Sequence, residues 1–427
     1  MTHSFPDPWP APHASAPVFG RVDVPGSKSL TARHLVIAAL ADEPSRLVGA
    51  LRSRDTDLMI TALRSMGVRI DEDGGDLVLT PGPLTSAHID VGLAGTVFRF
   101  LAAIAALADG PVSFDGDEAM YRRPIGPLLD ALERLGVSIE AGDGPAGRTL
   151  PLTVQGPARG GTVTVDASGS SQFVSAFLLL APRLPEGLTI VHEGGPVPSL
   201  PHVAMTVETL RAAGAHIDED LGERPTWRVS PGPLRPGTVT VEPDLSNATP
   251  FLAAAAATAG TVEIPRWPSQ TSQAGAHIIA ILEQMGSSTS LVDGVLSVTG
   301  PEKLTGLDIS LHDAGELTPT VAALAALADS PSRLSGIAHL RGHETDRLAA
   351  IAAEITKLGG TCVETRDGLV IEPSPLHGGV VDSYEDHRMA TFGAILGLIV
   401  PGVSVLDIGC TSKTMPDFPT MWEGLVR

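Results

Sequence analysis

Roughly every 70 residues the chain restarts the same unit, and a repeat of that length restricts the available architectures more than any single motif does. Helix-opening turns recur as Gly26-Ser27-Lys28-Ser29, Ala94-Gly95-Thr96, Gly169-Ser170-Ser171-Gln172, Ser246-Asn247-Ala248-Thr249, Gly315-Glu316-Leu317-Thr318 and Glu385-Asp386-His387-Arg388. Each leads into a run that is apolar on nearly every face, such as Val321-Ala322-Ala323-Leu324-Ala325-Ala326-Leu327, and a helix of that kind is buried on most sides. A second helix in each unit is amphipathic: Leu128, Leu129, Leu132 and Leu135 recur at helical spacing while Asp130, Glu133 and Arg134 face away. The second helices end at Gly67, Gly136, Gly214, Gly286 and Gly359, where a left-handed C-cap is expected. Short β-rich runs follow, with Asp73-Gly74, Asp293-Gly294 and Asp367-Gly368 at hairpin positions. The pattern predicts βαβαββ units with first helices inside and sheets outside; the sixth copy is truncated, and residues 415–427 replace its second half.

Six such units exceed one compact core, which predicts two domains of three units each. The extended segments Val22-Asp23-Val24-Pro25 and Val239-Thr240-Val241-Glu242-Pro243 are the best candidates to cross between them. If both cross, residues 1–24 and 242–427 form the domain holding both termini and residues 25–241 form the other. A propeller is disfavoured, because its blades are all strand whereas this repeat alternates buried and amphipathic helices.

A formal net charge of -20 argues against nucleic acid as a partner, since that binding rests on cationic surface matched to phosphate. Small anionic ligands remain open, because the field inside a cleft can oppose the net charge. Two cysteines, Cys362 and Cys410, support neither a disulfide framework nor a structural zinc site; they read as small core residues away from any candidate active-site loop. Neither a metal cluster nor a dinucleotide fingerprint is visible, so no cofactor is expected. Residues 1–19, rich in Pro and His, lack the pattern of a secretory signal and read as a flexible lead-in. No uncharged apolar run approaches the ~20 residues that span a bilayer, and the most hydrophobic stretch, 392–400, reads as a buried helix. A cytoplasmic protein without membrane partners is expected.

The chemistry concentrates at the helix openings. Pro25-Gly26-Ser27-Lys28-Ser29 with Arg33 reads either as an anion site at a helix N-terminus or as an ordinary capped turn; its spacing is not that of a nucleotide P-loop. Arg122-Arg123-Pro124 opens the second helix of its unit, where positive charge opposes the helix dipole and a carboxylate grip becomes a competing explanation. Ser168-Gly169-Ser170-Ser171-Gln172 offers hydroxyls and an amide suited to phosphate. Glu316 lies at the edge of an apolar helix, where a carboxylate suits the dipole but is awkward to bury. Glu344 and Arg347, three apart, should share a helix face, as a functional pair or a surface ion pair. Asp386-His387-Arg388 stands at the mouth of a fully apolar helix, and Lys413 follows a strand-like run. Lys28, Arg33, Arg123, Arg347, Arg388 and Lys413 within an acidic protein call for a ligand carrying several negative charges, and Glu316 and Glu344 are suited to moving protons. From the residues alone this is a two-domain enzyme that handles phosphorylated, carboxylated small molecules.

The motifs Pro25-Gly26-Ser27-Lys28-Ser29, Leu93-Ala94-Gly95-Thr96, Arg123-Pro124-Ile125-Gly126, Ser170-Ser171-Gln172, Glu344-Thr345-Asp346-Arg347, Asp386-His387-Arg388-Met389-Ala390 and Lys413-Thr414 occur in an order that resembles the 5-enolpyruvylshikimate-3-phosphate synthase family of enolpyruvyl transferases. The resemblance runs from about Val22 to the end of the chain. It implies an α/β fold of the inside-out α/β barrel type, two similar domains each of three βαβαββ units, and an active site in the interdomain cleft. It also implies transfer of the enolpyruvyl group of phosphoenolpyruvate to the 5-hydroxyl of shikimate 3-phosphate, with release of phosphate; because the two halves would form that site within one chain, a monomer is expected. Carried over by position, phosphoenolpyruvate contacts fall on Lys28, Gly95, Arg123, Gln172, Arg347, Arg388 and Lys413. Those to shikimate 3-phosphate fall on Ser29, Arg33, Thr96, Ser170, Ser171, Ser199, Glu316 and His343. In the addition–elimination the resemblance assigns Glu316 as base for the 5-hydroxyl, Glu344 as the group that protonates and deprotonates the methylene carbon, and Lys28 as general acid and charge stabiliser.

The chain departs from the commoner bacterial pattern at Leu93, Phe100, His202, His339, His343 and Glu316, where that pattern has Asn, Pro, Tyr, Asn, Lys and Asp. A histidine at 343 titrates near ~6.5 when unperturbed, so shikimate 3-phosphate binding is expected to weaken as pH rises. Gly95 leaves the room that the family resemblance associates with glyphosate sensitivity. Two rival readings are the related UDP-N-acetylglucosamine enolpyruvyl transferase, which usually carries a reactive loop cysteine, and a non-catalytic metabolite-binding relative, which would be expected to have lost Lys28, Glu316 or Glu344.

Overall fold

The computed structural model describes residues 5–427, and the chain divides into two compact units: Gly26–Val241, and Met1–Pro25 with Glu242–Arg427. In the first unit the helices are α1 (Lys28–Ala39), α2 (Arg54–Ser65), α3 (Gly95–Ile104), α4 (Gly126–Arg134), α5 (Gln172–Leu180) and α6 (Leu200–Ala212). Helices α1, α3 and α5 are buried almost all round and pack on one another, as their Ala, Leu and Val content requires. Helices α2 and α4 bury one face only. Three four-stranded sheets surround this core, each with the same order. In one, Thr85–Asp90 runs parallel to Asp109–Asp115, which pairs antiparallel with Gly147–Gln155, and Ser138–Gly144 forms the far edge.

The second unit repeats the plan with α7 (Leu245–Thr258), α8 (Ile278–Gln284), α9 (Thr318–Leu327), α10 (Arg347–Lys357), α11 (His387–Ile399) and the closing α12 (Phe418–Val426). Here α7, α9 and α11 form the buried trio. Residues 392–400, expected in a buried helix, fall within α11 and its C-cap, Val400.

Strand composition shows how the chain closes its units. The sheet of Ser45–Val48, Arg69–Asp73 and Asp76–Thr80 takes its first strand from Thr238–Thr240, nearly two hundred residues later, in parallel register with Arg46–Val48. Phe19–Arg21 likewise supplies the first strand beside Thr261–Ile264. The truncated sixth copy keeps Val380–Asp382, α11 and Ser404–Leu406, and its sheet is completed by Trp9–Pro10 pairing antiparallel with Ser404 and Val405. This corrects the expectation of a flexible lead-in: Trp9 is buried, its indole N–H donates to Glu423, and Ala11 and Ala14 hydrogen-bond to Val403 and Leu398. The part of that expectation concerning residues 1–4 lies outside the described residues.

The five second-helix glycines sit one residue past their C-caps with φ between 89° and 102°, the left-handed conformation that a β-carbon makes costly. No helix among the described residues is long and apolar enough to cross a membrane.

Candidate active-site residues

In the first unit, the sequence-predicted residues gather at the openings of α1, α3 and α5. Ser27 caps α1, its hydroxyl accepting the Leu30 N–H at 3.4 Å, which leaves Lys28 as the first helical residue. The Lys28 ammonium lies 3.3 Å from Asp55, an almost buried carboxylate in the first turn of α2. Gly95 opens α3 against two guanidiniums. A β-carbon there would stand 2.6 Å from Nη1 of Arg123 and 2.8 Å from Nη1 of Arg99, closer than side-chain contacts allow. Arg99 is buried, donates to Oε1 of Gln172 and to the carbonyl of Pro124 at 2.9 Å each, and lies over the Phe173 ring. Burial and the neighbouring Arg123 push its pKa well down. Gln172 also reaches Thr96, its amide donating at 3.5 Å. Gly95, Thr96, Arg99, Arg123 and Gln172 are thus one cluster, cationic and amide-lined, suited to an anion.

Arg123 differs from its expected setting. It follows a 3₁₀ turn, Glu118–Arg122, and α4 begins only at Gly126, so its charge does not oppose a helix dipole. Arg33 also differs. Its guanidinium is buried and donates to the Ser29 carbonyl, the His202 carbonyl and the Thr206 hydroxyl at 2.7–2.8 Å, binding α1 to α6 while stacking over Phe100. Three of its five donors are committed within the protein, and burial lowers its pKa to about 9. His202 acts through its carbonyl here, and Phe100 packs under Arg33. Ser170 and Ser171 lie just before α5, and Ser199 caps α6 in a left-handed conformation.

In the second unit the predicted residues converge more tightly. Arg347, the first residue of α10, is buried and grips Asp386 with two contacts, Nε to Oδ2 at 2.7 Å and Nη2 to Oδ1 at 3.1 Å. Asp386 caps α11, accepting the Arg388 N–H at 2.9 Å. Glu344 does not share the α10 face as expected. It lies before the helix, beyond the 3₁₀ turn Ala338–Gly342, and Asp346 is the cap. From there its Oε1 meets the Lys413 ammonium at 2.7 Å and its Oε2 the His387 Nδ1 at 3.1 Å. Burial pushes Glu344 up, but Lys413, His387 and Arg347 together hold its carboxyl well below the usual range. Burial lowers His387 to about 4 against the pull of Glu344, so it is neutral and donates from Nδ1. Burial and Arg347 lower Arg388, opposed by Glu316, Asp244 and Asp386.

Glu316 sits in the 3₁₀ turn that precedes α9 and accepts a hydrogen bond from the Ser246 hydroxyl at 3.4 Å. Beside it are three histidines: the His339 ring centroid is 6.0 Å from that of His312 and 5.8 Å from that of His343. Burial, His312 and Arg347 bring His339 to about 4, with Glu316 opposing. His343 Nδ1 faces Nη1 of Arg347 at 3.4 Å. Because arginine can only donate, this contact holds His343 as an acceptor, and protonating Nδ1 has to break it.

Glu344, Asp386 and His387 are the one grouping among the described residues whose ligand atoms lie close enough together, within 4.8 Å, to hold a metal ion. Their carboxylates already face Lys413 and Arg347, so the donor set is matched to the protein's own cations. Cys410 lies in the 3₁₀ turn Ile408–Lys413, close to Lys413, contrary to the expectation that neither cysteine neighbours an active-site loop. Burial pushes its thiol up to about 12, which removes it as a nucleophile near neutral pH.

The sequence alone gives no role to Arg99, Asp55, Asp386 or His387. A cation inside Phe98-Arg99-Phe100-Leu101 is the one signal that marks Arg99 in advance, since an apolar helix does not bury a charge without a partner.

The family profile described as EPSP synthase (3-phosphoshikimate 1-carboxyvinyltransferase) matches residues 12–422. A 3-phosphoshikimate 1-carboxyvinyltransferase of Kocuria rhizophila is 55% identical over 440 residues, covering 100% of this chain and 98% of the relative. Another, of Mycobacterium ulcerans, is 53% identical over 431 residues, covering 99% and 98%. Among solved structures, an EPSP synthase from Acinetobacter baumannii superposes with a TM-score of 0.80 at 24% identity, covering 97% of each chain. The enolpyruvyl transferase NikO from Streptomyces tendae gives 0.73 at 20% identity, covering 97% of this chain and 96% of that one. At those identities the two structures speak for the fold.

Proposed function

Since the chain belongs to the EPSP synthase (3-phosphoshikimate 1-carboxyvinyltransferase) family, we infer that it transfers the enolpyruvyl group of phosphoenolpyruvate to the 5-hydroxyl of shikimate 3-phosphate and releases phosphate, within aromatic amino acid biosynthesis. The observation that carries the mechanistic reading is Glu344, a carboxylate kept ionised in a buried setting by Lys413, His387 and Arg347.

In the addition step the 5-hydroxyl oxygen bonds to C2 of phosphoenolpyruvate while its proton passes to Glu316. C3 takes a proton from the Lys413 ammonium relayed through Glu344, and a tetrahedral carbon results. In the elimination step Glu344 removes a proton from C3 and returns it to Lys413. The C2–C3 double bond re-forms as the C2–O bond to phosphate breaks, Lys28 protonating the leaving oxygen, and Glu316 releases the hydroxyl proton to solvent, from which Lys28 is recharged. Arg347, Arg388, Arg123 and Lys28 offset the charge that develops on the phosphate and carboxylate oxygens. Asp386 keeps Arg347 oriented, and Arg99 does the same for Gln172. Shikimate 3-phosphate is assigned to Ser29, Arg33, Thr96, Ser170, Ser171, Ser199, Glu316 and His343, and Arg33 has its remaining donors to offer. Both sets of residues belong to one chain, so the reading requires no second copy, and a monomer in the cytoplasm is the proposed form.

The test is phosphate release with each substrate omitted in turn. Release that requires both substrates supports the reading; release from phosphoenolpyruvate alone, or none with both present, refutes it. Retention of near-normal turnover by Glu316→Gln or Lys28→Met would remove the role assigned to that residue.

A further inference from the structure

Four helix-opening turns in this chain are closed by the same hydrogen bond from the fourth residue to the first: Val91–Ala94, Ala167–Ser170, Leu311–Ala314 and Ser383–Asp386. In the first three, Gly92 alone has a positive φ. The fourth is built differently. Its two central residues, Tyr384 and Glu385, have φ of 52° and 57°, the geometry of a type I′ turn, which Gly, Asn and Asp normally occupy because a β-carbon is strained there. This turn delivers Asp386, His387 and Arg388.

A second contact spans the same segment. Glu354, fully buried on α10 two turns beyond Arg347, accepts the Tyr384 hydroxyl at 2.7 Å and the Asp382 N–H at 3.2 Å, and pairs with Lys357 at 2.7 Å. The Tyr384 N–H is itself fixed by the Asp382 carboxylate at 2.7 Å. Helix α10 therefore holds the strand-to-helix connection at both ends, through Glu354 before the turn and through Arg347 at Asp386. Nothing in the proposed chemistry uses Glu354 or Tyr384. A buried carboxylate whose partners include the side chain of a strained residue is nevertheless costly to place unless it fixes something.

We propose that Glu354 and Tyr384 are positioning residues that hold the strained Tyr384–Glu385 turn, and so set Asp386, Arg347 and Arg388 in register for the phosphoenolpyruvate anion. The inference rests on the function proposed above. Losing the Tyr384 hydroxyl lets the turn relax toward negative φ and carries Asp386 away from Arg347. Relieving the strain at one of the two positions lessens what the hydroxyl has to hold, and Glu385, exposed at the second central position, is where that is done.

The experiment compares Tyr384→Phe, Glu385→Gly and the double variant with the unaltered full chain, by steady-state kinetics with phosphoenolpyruvate varied. Tyr384→Phe is expected to raise KM for phosphoenolpyruvate about tenfold with kcat within a factor of about two, as loss of one hydrogen bond to a charged acceptor predicts when binding of ground and transition states weakens alike. Glu385→Gly alone leaves KM unchanged, and in the double variant it restores KM to within about threefold. A Tyr384→Phe enzyme with unaltered KM, or a raised KM that Glu385→Gly does not rescue, overturns the inference. If Tyr384→Phe does not fold, the double variant decides alone: a KM near that of the unaltered chain supports the proposal, and a tenfold rise refutes it. Inactivity of the unaltered chain in the same assay would instead count against the proposed function.

Discussion

Replacing Asp386 by Asn changes one atom in the fully buried pair with Arg347, and the structure sets the size of the effect. The carboxylate receives two guanidinium hydrogen bonds and the Arg388 N–H. The amide keeps one oxygen, able to serve the backbone N–H and one guanidinium contact, and turns its own NH₂ toward the other guanidinium N–H, donor against donor. One charge-assisted hydrogen bond is lost, worth roughly 1.5–3 kcal/mol. The Arg347 cation also loses its closest counter-charge, and removing one member of a buried pair costs about 3–5 kcal/mol. Glu344 and Glu316 also stabilise the charged form of Arg347, which places the expected loss at the lower end, about 3 kcal/mol. The assay is denaturant unfolding of Asp386→Asn, Arg347→Met and the double variant, followed with probes in each unit because the two need not unfold together. The double variant is expected to be about 2 kcal/mol more stable than the sum of the single losses predicts. KM for phosphoenolpyruvate rises in all three variants. A loss below about 1 kcal/mol for Asp386→Asn, with no coupling to Arg347, would refute the claim that this pair organises the site.

Gly95→Ala places a methyl against Arg123 and Arg99, so both guanidiniums must shift; KM for phosphoenolpyruvate is expected to rise about tenfold or more by steady-state kinetics, with little loss of stability. Lys413→Met removes the largest influence opposing the burial of Glu344. The acidic limb of the pH–rate profile is then expected to move to higher pH, and an unmoved limb would sink the assignment of Glu344. His34 is buried in α1 with its pKa lowered to about 4 by burial and Arg33. The unfolded chain therefore binds a proton that the native chain refuses between about pH 6.5 and 4, and stability falls as pH drops through that window. His34→Leu should remove about 2 kcal/mol of the loss between pH 7 and 5, read from denaturant midpoints.

The residues that were legible in advance share a physical reason. Lys28, Gly95, Gln172 and Arg388 stand at or beside helix openings, and an opening is written locally as a cap, a small residue and an apolar run. Spacing misplaced Glu344, because three residues apart implies one helix face only if the helix is already formed at both, and Arg123 was placed at a helix start that begins three residues later. The 3₁₀ turns ahead of α4 and α10 remove that condition. Arg33 was legible as a cation at a helix opening but not as the tie between α1 and α6, since Thr206 is 173 residues away along the chain. Trp9 was unreadable for the same reason: a two-residue strand has no periodicity, and its partner, Val405, lies at the other end of the sequence.

Local sequence thus determined the repeat, the buried and amphipathic helices, the glycine C-caps and the identity of most charged groups, because each depends on neighbours within a few turns. Tertiary structure alone decided which strands completed which sheets and which charges met. It brought Glu344 against Lys413 and His387, clasped Arg347 to Asp386, and packed Arg99 beside Gly95. Those pairings set the ionisation of the groups, since a buried charge is governed by what folding places within a few ångströms of it and not by its position in the chain.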